Sequence, residues 1–514
     1  MATGEMVVLT ASIDDIDTTE QLMAFEAYQK LCVVNGTNKK IADFTNSSTT
    51  FNAGYAAYPL KGDTLTQAGT GAKMLVDSID SGLKIIYGFR ITTAAFDTNG
   101  AVSSDDVGGT TMDPASYTPD AVTDRTDGPL WYDWVTHPSK TFDLPDEVTI
   151  GCLYRGRAVL SGNPNSPFQW YMSRQGDIFD YDYAAGDAQT AVKGGNSNMG
   201  EIGDIVRALI PYKDDYLIFG CATTIWYAAD DPAYGGTLNS LDLSTGMYGP
   251  FSWCFGPKDE NGNSSLYFWG TNGLYTSTIP GAPVCISQMR LPDLVKDEAA
   301  DPRSHRISLG FDRRNNGINV FITHLSSGTN SNWFYDLSTE GFFPESYPNQ
   351  CTVYSSFYYP ANNPEDKDLL VGSLDGYIRR FDRNTKSDDI GASDKAIDSY
   401  VTLEPYPMSK DLDRTGKLTA YNLMSSGGPQ ADFDDIYFKV YTDLTPEGVI
   451  KKMMANGIPR AGGTFVAPGR RSNNRRMHKI DGAYLGIKLG SNTIAQSWSF
   501  EKFYGTIKPS GRIK

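Results

Sequence analysis

The chain has 514 residues, 40% apolar and 21% charged, with a formal net charge of −16. That balance excludes a disordered polymer and permits a large buried core. No stretch approaches ~18 uninterrupted apolar residues, so no membrane-spanning helix is expected, and long heptad or helix-period runs are absent.

Residues 1–24 read as an N-terminal arm. Asp14, Asp15 and Asp17 precede Thr18-Thr19, and a short helix is expected over 20–28. The opening Met1-Ala2-Thr3-Gly4-Glu5-Met6 has no basic region followed by an apolar core, so no secretory signal is expected. Residues 25–59 hold a first hairpin, Leu31-Cys32-Val33-Val34-Asn35-Gly36 leading into Ile41-Ala42-Asp43-Phe44. Its sheet is expected to be completed by strands from the far end of the chain. Residues 60–130 read as an inserted β module: a strand over 83–93, then Gly/Ser/Asp/Thr/Pro-rich sequence. That sequence is expected to be a long projecting loop over 97–128, with a disordered loop as the alternative.

From Gly162 onward one phrase recurs every ~50 residues, a period typical of propeller blades. An apolar run meets a glycine-bearing turn and leaves as an aromatic-rich strand. Ala158-Val159-Leu160-Ser161-Gly162 leads to Trp170-Tyr171-Met172, and Tyr216-Leu217-Ile218-Phe219-Gly220 to Ile225-Trp226-Tyr227. Phe268-Trp269-Gly270 leads to Leu274-Tyr275, Val320-Phe321-Ile322 to Trp333-Phe334-Tyr335, and Leu370-Val371-Gly372 through Asp375-Gly376 to Ile378. A four-stranded sheet repeated at this period predicts an all-β fold, a β-propeller of six to eight blades, with blades over 131–400. A large β-sandwich with similar hairpins is the alternative.

Residues 401–514 are expected to form a closing blade with a basic C-terminal segment. A strand spans 435–441. Thr445-Pro446-Glu447 then has a helix start, with cap, proline at the first position and acid in the first turn, and the helix is expected to end at Gly457. The stretch 459–479 reads as exposed, and closing strands follow over 484–489 and 496–504. Between Val449 and Lys514 there are 13 basic residues against Asp481 and Glu501, about +11, which leaves about −27 on the rest. Within that end, Arg470, Arg471, Arg475, Arg476 and Lys479 form an electrostatic patch suited to an acidic neighbouring subunit or to DNA phosphates. No aromatics are interleaved for base stacking, and the subunit contact is favoured.

Little in the chain suggests turnover. His137, His305, His324 and His478 are scattered and give no zinc spacing, and no Gly-x-Ser-x-Gly elbow is present. Gly69-Thr70-Gly71-Ala72-Lys73 lacks the spacing of a phosphate loop, and the calcium-like start at 411–416 lacks a third early ligand and the closing glutamate. Both read as turns. Asp177, Asp180, Asp182, Asp230 and Asp231 are candidate carboxylates for a propeller glycosidase, but nothing in the sequence makes two of them converge. Ser373-Leu374-Asp375-Gly376 shares only the start of a sialidase-type turn. Cys32, Cys152, Cys221, Cys254, Cys285 and Cys351 lie far apart and read as free thiols made in a reducing cytoplasm. No cofactor and no metal are expected.

Two segments carry a resemblance. Tyr154-Arg155-Gly156-Arg157-Ala158-Val159-Leu160-Ser161-Gly162, followed by Ser173-Arg174-Gln175-Gly176-Asp177-Ile178-Phe179, resembles a phrase of the tail tubular protein B family, the tail nozzle proteins of short-tailed bacteriophages. The stretch 205–220 resembles that family's next strand pair. The match covers roughly 149–230. It implies a virion structural protein of the tail, made in the host cytoplasm. Such proteins form a ring, commonly of six copies, around the DNA channel, docked to other tail or neck proteins and in transient contact with DNA. Head-to-tail contacts between wedge-shaped copies would close such a ring. A receptor- or glycan-binding propeller on the virion surface and a propeller glycosidase are the alternatives.

Overall fold

At each of its six occurrences, the recurring phrase is a hairpin inside a small antiparallel sheet. The hairpins are Lys30–Val34 with Lys39–Asp43, Arg157–Ser161 with Trp170–Met172, Tyr216–Cys221 with Ile225–Asp231, Ser264–Gly270 with Gly273–Ser277, Gly317–His324 with Asn330–Asp336, and Asp368–Ser373 with Ile378–Arg380. The computed structural model describes all residues except 1–15, 18–19, 46, 52–55, 61, 81–83, 106–111, 125–129, 136–142, 185, 195–198, 362, 383, 392–393, 411–413, 427–432, 468 and 513–514; for 80, 124, 130, 475–479 and 512 it describes the backbone alone. Most of the N-terminal arm, His137 and the start of the calcium-like turn lie outside the described residues. The chain divides into two compact units, 1–311 and 312–514.

Besides a six-stranded inserted sheet, the first unit holds four sheets of four strands, each joined in sequence order. In the second, Ile150–Tyr154, Arg157–Ser161, Trp170–Met172 and Val192–Lys193 follow one another; in the third, Val206–Tyr212, Tyr216–Cys221, Ile225–Asp231 and Tyr234–Asp242 do. The opening strands of the first three sheets, Met23–Ala27, Ile150–Tyr154 and Val206–Tyr212, touch in series. Side chains alternate across a strand, so each sheet has two faces to bury. The second sheet sends Ala158 and Leu160 into a core shared with Phe25, Cys32 and Ile41 of the first. It sends Val159, Trp170 and Met172 into a core shared with Leu209, Leu217 and Phe219 of the third. The third turns Ala208, Ile210 and Ile218 toward Leu266 and Phe268 of the fourth. Trp170 and Phe219 meet at 6.0 Å across one of these seams, and full burial of one such side chain contributes about 1.5–3 kcal/mol. Sheets stacked face to face in series make this an all-β, propeller-like fold.

Three expectations about the N-terminal half change. Residues 23–27 are a strand and not a helix: Phe25 and Ala27 point inward while Ala24 and Glu26 are exposed, a period of two. The first sheet is completed by Leu130–Asp133, paired to Lys39–Asp43, and not by the chain's far end. The chain leaves after its third strand and returns as the fourth, anchored by buried Trp134 against Phe25, with its indole N–H donating to Ile178 O. The insertion begins at Ser47, and 97–128 is no projecting loop. It supplies Val102–Ser104 and Pro119–Asp124 as the two edges of a six-stranded sheet, and Val102, Met112 and Tyr117 enter that sheet's core beside Phe51, Met74 and Ile86.

A buried ion triad fastens the insertion to the first sheet. Lys30 Nζ lies 3.3 Å from Asp43 and 2.8 Å from Asp77 of the inserted strand Lys73–Asp80. Asp43 also accepts from Tyr132 Oη and the Thr45 N–H.

In the second unit, Gly317–His324, Asn330–Asp336 and Gly341–Glu345 run antiparallel in turn. Val353–Tyr359, Asp368–Ser373 and Ile378–Arg380 form a three-stranded sheet that shares a core through Phe321, Val353 and Val371. The segment 399–514 is not a closing blade. It folds as two sheets face to face with non-sequential strand order. One is Ser399–Pro407, Tyr484–Ser491, Ile436–Asp443 and Ala461–Phe465; the other is Ser472–Gly482, Arg414–Ser425 and Phe500–Arg512. Leu418, Tyr421 and Leu423 meet Phe438, Ile487 and Leu489 between them. The expected helix is present over Pro446–Met454, with the Thr445 hydroxyl accepting from the Gly448 N–H.

Two measurements follow from these contacts. Lys30→Met removes the buried ammonium that Asp43 and Asp77 share, and should cost about 3–5 kcal/mol in urea unfolding; a loss below about 1 kcal/mol would mean the triad is not dry. The Lys452 ammonium, at 2.7 Å, and the Leu444 N–H hold the Asp443 carboxyl below its usual range. The folded value is the lower one, so this contribution is present above the ordinary aspartate range and lost as pH falls through the folded value. Asp443→Asn should therefore lower stability at neutral pH, by less than about 1 kcal/mol for so exposed a pair, and match the wild type in acid.

Candidate functional site

Turns that join the first to the second strand, and the third to the fourth, fall at one end of an up-and-down sheet. At that end of the first three sheets a cavity of about 710 Å³ opens, lined by Tyr28, Arg155, Gly156, Gln175, Gly176, Gln189, Asp214, Asp215 and Asp231. Its turns are tight: Arg155 and Gly156 have φ of 46° and 70°, and Tyr28 and Gln29 have 50° and 61°. Positive φ at both central residues is the reversal that suits a two-residue hairpin. Gly156 is further constrained, because a Cβ there would lie 2.7 Å from Tyr28 Oη.

The cavity wall is tied together across sheets. Tyr28 Oη donates to Gly156 O at 2.7 Å, and Arg155 Nε donates to Asp214 O at 2.7 Å. Burial pushes the Tyr28 phenol up from its ordinary value. Behind the wall lies Arg157, 1% exposed, which donates to Ser173 O, Ala188 O, Gln189 O and Thr190 O and sits 3.8 Å from Asp231. Burial lowers its affinity for the proton, but a guanidinium with these acceptors stays charged. The arrangement offers three carboxylates, two amides, a guanidinium and a phenol on a stiff frame, which suits hydrogen bonding to a polar ligand. Among the described residues no group of three His, Cys, Asp or Glu could hold a metal ion.

Of the acids singled out from sequence, Asp231 alone lines the cavity. Asp177, Asp180 and Asp182 accept from the N–H groups of Phe179, Asp182 and Ala184, the work of turn residues. Asp214 and Asp215, legible only as a turn, reach the cavity because the third sheet packs against the second. His305 and His324 bond within their own turns. Asp375, in the sialidase-like tetrapeptide, is held by Arg379 at 2.6 Å, a structural turn. The six cysteines are free.

The basic run lies in the other unit, and it is not the exposed loop expected for 459–479. Ser472–Gly482 is a strand at one edge of the three-stranded sheet, where Arg475 and Arg476 pair with Tyr421 and Ala420 of Arg414–Ser425. The register slips between Leu418 and Ala420, opposite the stretch that contains Lys479. Arg470, 71% exposed, meets Glu501 at 3.0 Å. Arg471 O accepts from the Ser425 N–H, the Arg471 N–H donates to Ser425 Oγ, and its side chain is exposed. Sequence reading missed that Arg414, Lys417, Lys502 and Lys508, all exposed, share this sheet. Lys417 sits directly opposite Lys508, a like-charge pairing that costs energy without an anion nearby; Asp481 faces Lys417 from the other side.

No family model matches the chain, and no curated protein does. Among solved structures, the extracellular domain of a one component system of B. thetaiotaomicron aligns at TM-score 0.32 and 10% identity, over 74% of this chain and 45% of that one. A Lactobacillus plantarum protein aligns at 0.29 and 10%, over 69% and 90%. The phage phi92 endosialidase aligns at 0.25 and 11%, over 89% and 78%. The chain thus spans about half the length of the first. These likenesses are too slight to carry an argument, and the fold assignment rests on sheet order and packing.

Arg157→Met removes the donor to four carbonyls at once. Each buried acceptor left unpaired costs about 1–3 kcal/mol, so denaturation should show a loss of several kcal/mol. Arg470→Gln should change stability by less than about 1 kcal/mol, and that difference should shrink with added salt.

Proposed function

We propose that this chain is a structural protein of a bacteriophage virion, a propeller-like nozzle or neck/tail ring component that surrounds the DNA channel and performs no turnover. One observation carries the reading. The segment resembling the tail tubular protein B family, 149–230, covers one whole four-stranded sheet and the first three strands of the next. The resemblance therefore follows consecutive sheet strands and not a scattered motif.

Charge supports the same reading. About −27 falls outside 449–514 and about +11 within it, and part of the positive charge is exposed on one sheet. An acidic surface repels the DNA backbone and lets it slide, while a basic face seeks an acidic neighbour. Contacts between two different surfaces of identical copies close a ring, here of six. Other tail or neck proteins would be its partners, DNA contact would be transient, and its place would be the virion tail after synthesis in the host cytoplasm.

The cavity favours a second reading, a glycan-binding propeller on the virion surface: Tyr28 offers a ring, and the aspartates and glutamines offer partners for hydroxyl groups. Binding on a glycan array that is lost in Asp231→Ala would favour it.

Native mass spectrometry and negative-stain imaging of the full chain, alone and with its neighbouring tail proteins, test the ring. Hollow rings are expected. Arg471→Glu with Lys502→Glu should weaken assembly about tenfold or more, with the wild type weakening similarly as salt rises. Monomers under every condition would overturn the proposal.

A further inference from the structure

Lys488 is 3% exposed and makes a long ion pair with Asp398. It stands on Tyr484–Ser491, between Ser399–Pro407 and Ile436–Asp443, on the face turned away from the core that Ile487 and Leu489 enter. Its Nζ lies 3.5 Å from the centroid of the Tyr400 ring. It donates to Asn456 Oδ1 at 3.2 Å, and Asp398 Oδ2 stands 3.9 Å away. Tyr437 Oη donates to the other oxygen of Asp398 at 2.8 Å. Lys439 sits directly opposite Lys488 in the register.

The delivery of Asn456 is built into the fold. The helix Pro446–Met454 lies on this face through Val449 and Met453, and comes so close that a Cβ at Gly486 would meet Val449 at 2.4 Å. Asn456 follows the helix at φ 47°, a left-handed conformation that asparagine tolerates. The next nitrogen, Gly457 N–H, is tied to Lys452 O at 2.9 Å.

We propose that Lys488 and Asn456 become joined by an intramolecular isopeptide bond, with Asp398 as proton carrier. Burial lowers the proton affinity of Lys488; Asp398 works against this and the opposing Lys439 with it, and the net direction is toward the neutral amine. Asp398 takes the ammonium proton, and the freed Nζ lone pair attacks Cγ of Asn456. The new C–N bond forms as the bond from Cγ to Nδ2 breaks. The departing nitrogen gains the proton that Asp398 holds, Asp398 then takes the second proton that the attacking Nζ sheds, and the nitrogen leaves with that proton as ammonium. Nothing is oxidised or reduced, and no further reactant enters. The bond would staple the helix to the sheet in a protein that bears load, and its formation does not depend on the ring reading.

Intact mass and tryptic mapping of the purified full chain test this. The wild type is expected to be lighter by one ammonia and to yield a branched peptide joining Lys488 to Asn456. Asn456→Gly, which suits the left-handed backbone, and Lys488→Arg should each keep the full mass. Asp398→Asn should slow conversion about tenfold or more, as loss of a positioned proton carrier does. A full-mass wild type without the branched peptide after prolonged incubation would overturn the proposal. So would ammonia loss that persists in Lys488→Arg, which would mark a succinimide at Asn456-Gly457.

Discussion

Burial of both faces of each small sheet is the constraint on which the first unit depends. All five residues of Arg157–Ser161 are buried, and alternate side chains serve different cores. Such a strand cannot stand in a lone sheet with one wet face. It needs a sheet on either side, and the chain meets that need by repetition. Several polar groups caught in the seams are paired internally: Ser161 Oγ donates to Gln169 O, Thr323 Oγ1 to Val353 O, and Arg157 to four carbonyls, whereas the indole N–H of Trp170 finds no partner among the described residues. An unpaired group at these depths would cost as much as a large side chain gains there.

The same repetition positions the cavity. Up-and-down sheets bring alternate turns to one end, and face-to-face packing sets those turns side by side. Tyr28, Arg155 and Asp214 come from three sheets, yet two backbone carbonyls and two side chains hold them in one wall. Resistance to deformation there comes from the sheets beneath, and the turns need only the right backbone sign.

How much was legible follows from how local each signal is. The hairpins could be read because strand, turn and strand lie within about twenty residues, and the helix at Pro446 because cap, proline and acid are adjacent. The strand at 23–27 was misread because acids and threonines before it imitate a helix start, while the alternation of Phe25 and Ala27 spans only one repeat. Closure by Leu130–Asp133 left no mark, since that strand meets Lys39–Asp43 across nearly ninety residues. Lys488 with Asp398, Tyr400 and Asn456 was invisible for the same reason. The basic run was found, but the sheet that carries it was not. Arg414 meets Arg512 only through long-range pairing.

That sheet shows why charge here is an argument about partners and not about stability. Two lysines are held opposite each other at Lys417 and Lys508, and two more at Lys439 and Lys488, where a folding-only sequence would place mixed signs. The second pair, in the facing sheet, is relieved from within by the ring of Tyr400 and the carboxylate of Asp398, and the proposed bond would remove the charge of Lys488 altogether. The first is only half relieved, by Asp481, which also lies 4.0 Å from Arg460. A neighbour bearing acidic groups would complete it. In the ring proposed above, the large negative excess on the rest of the chain would let another copy of the same protein supply those groups.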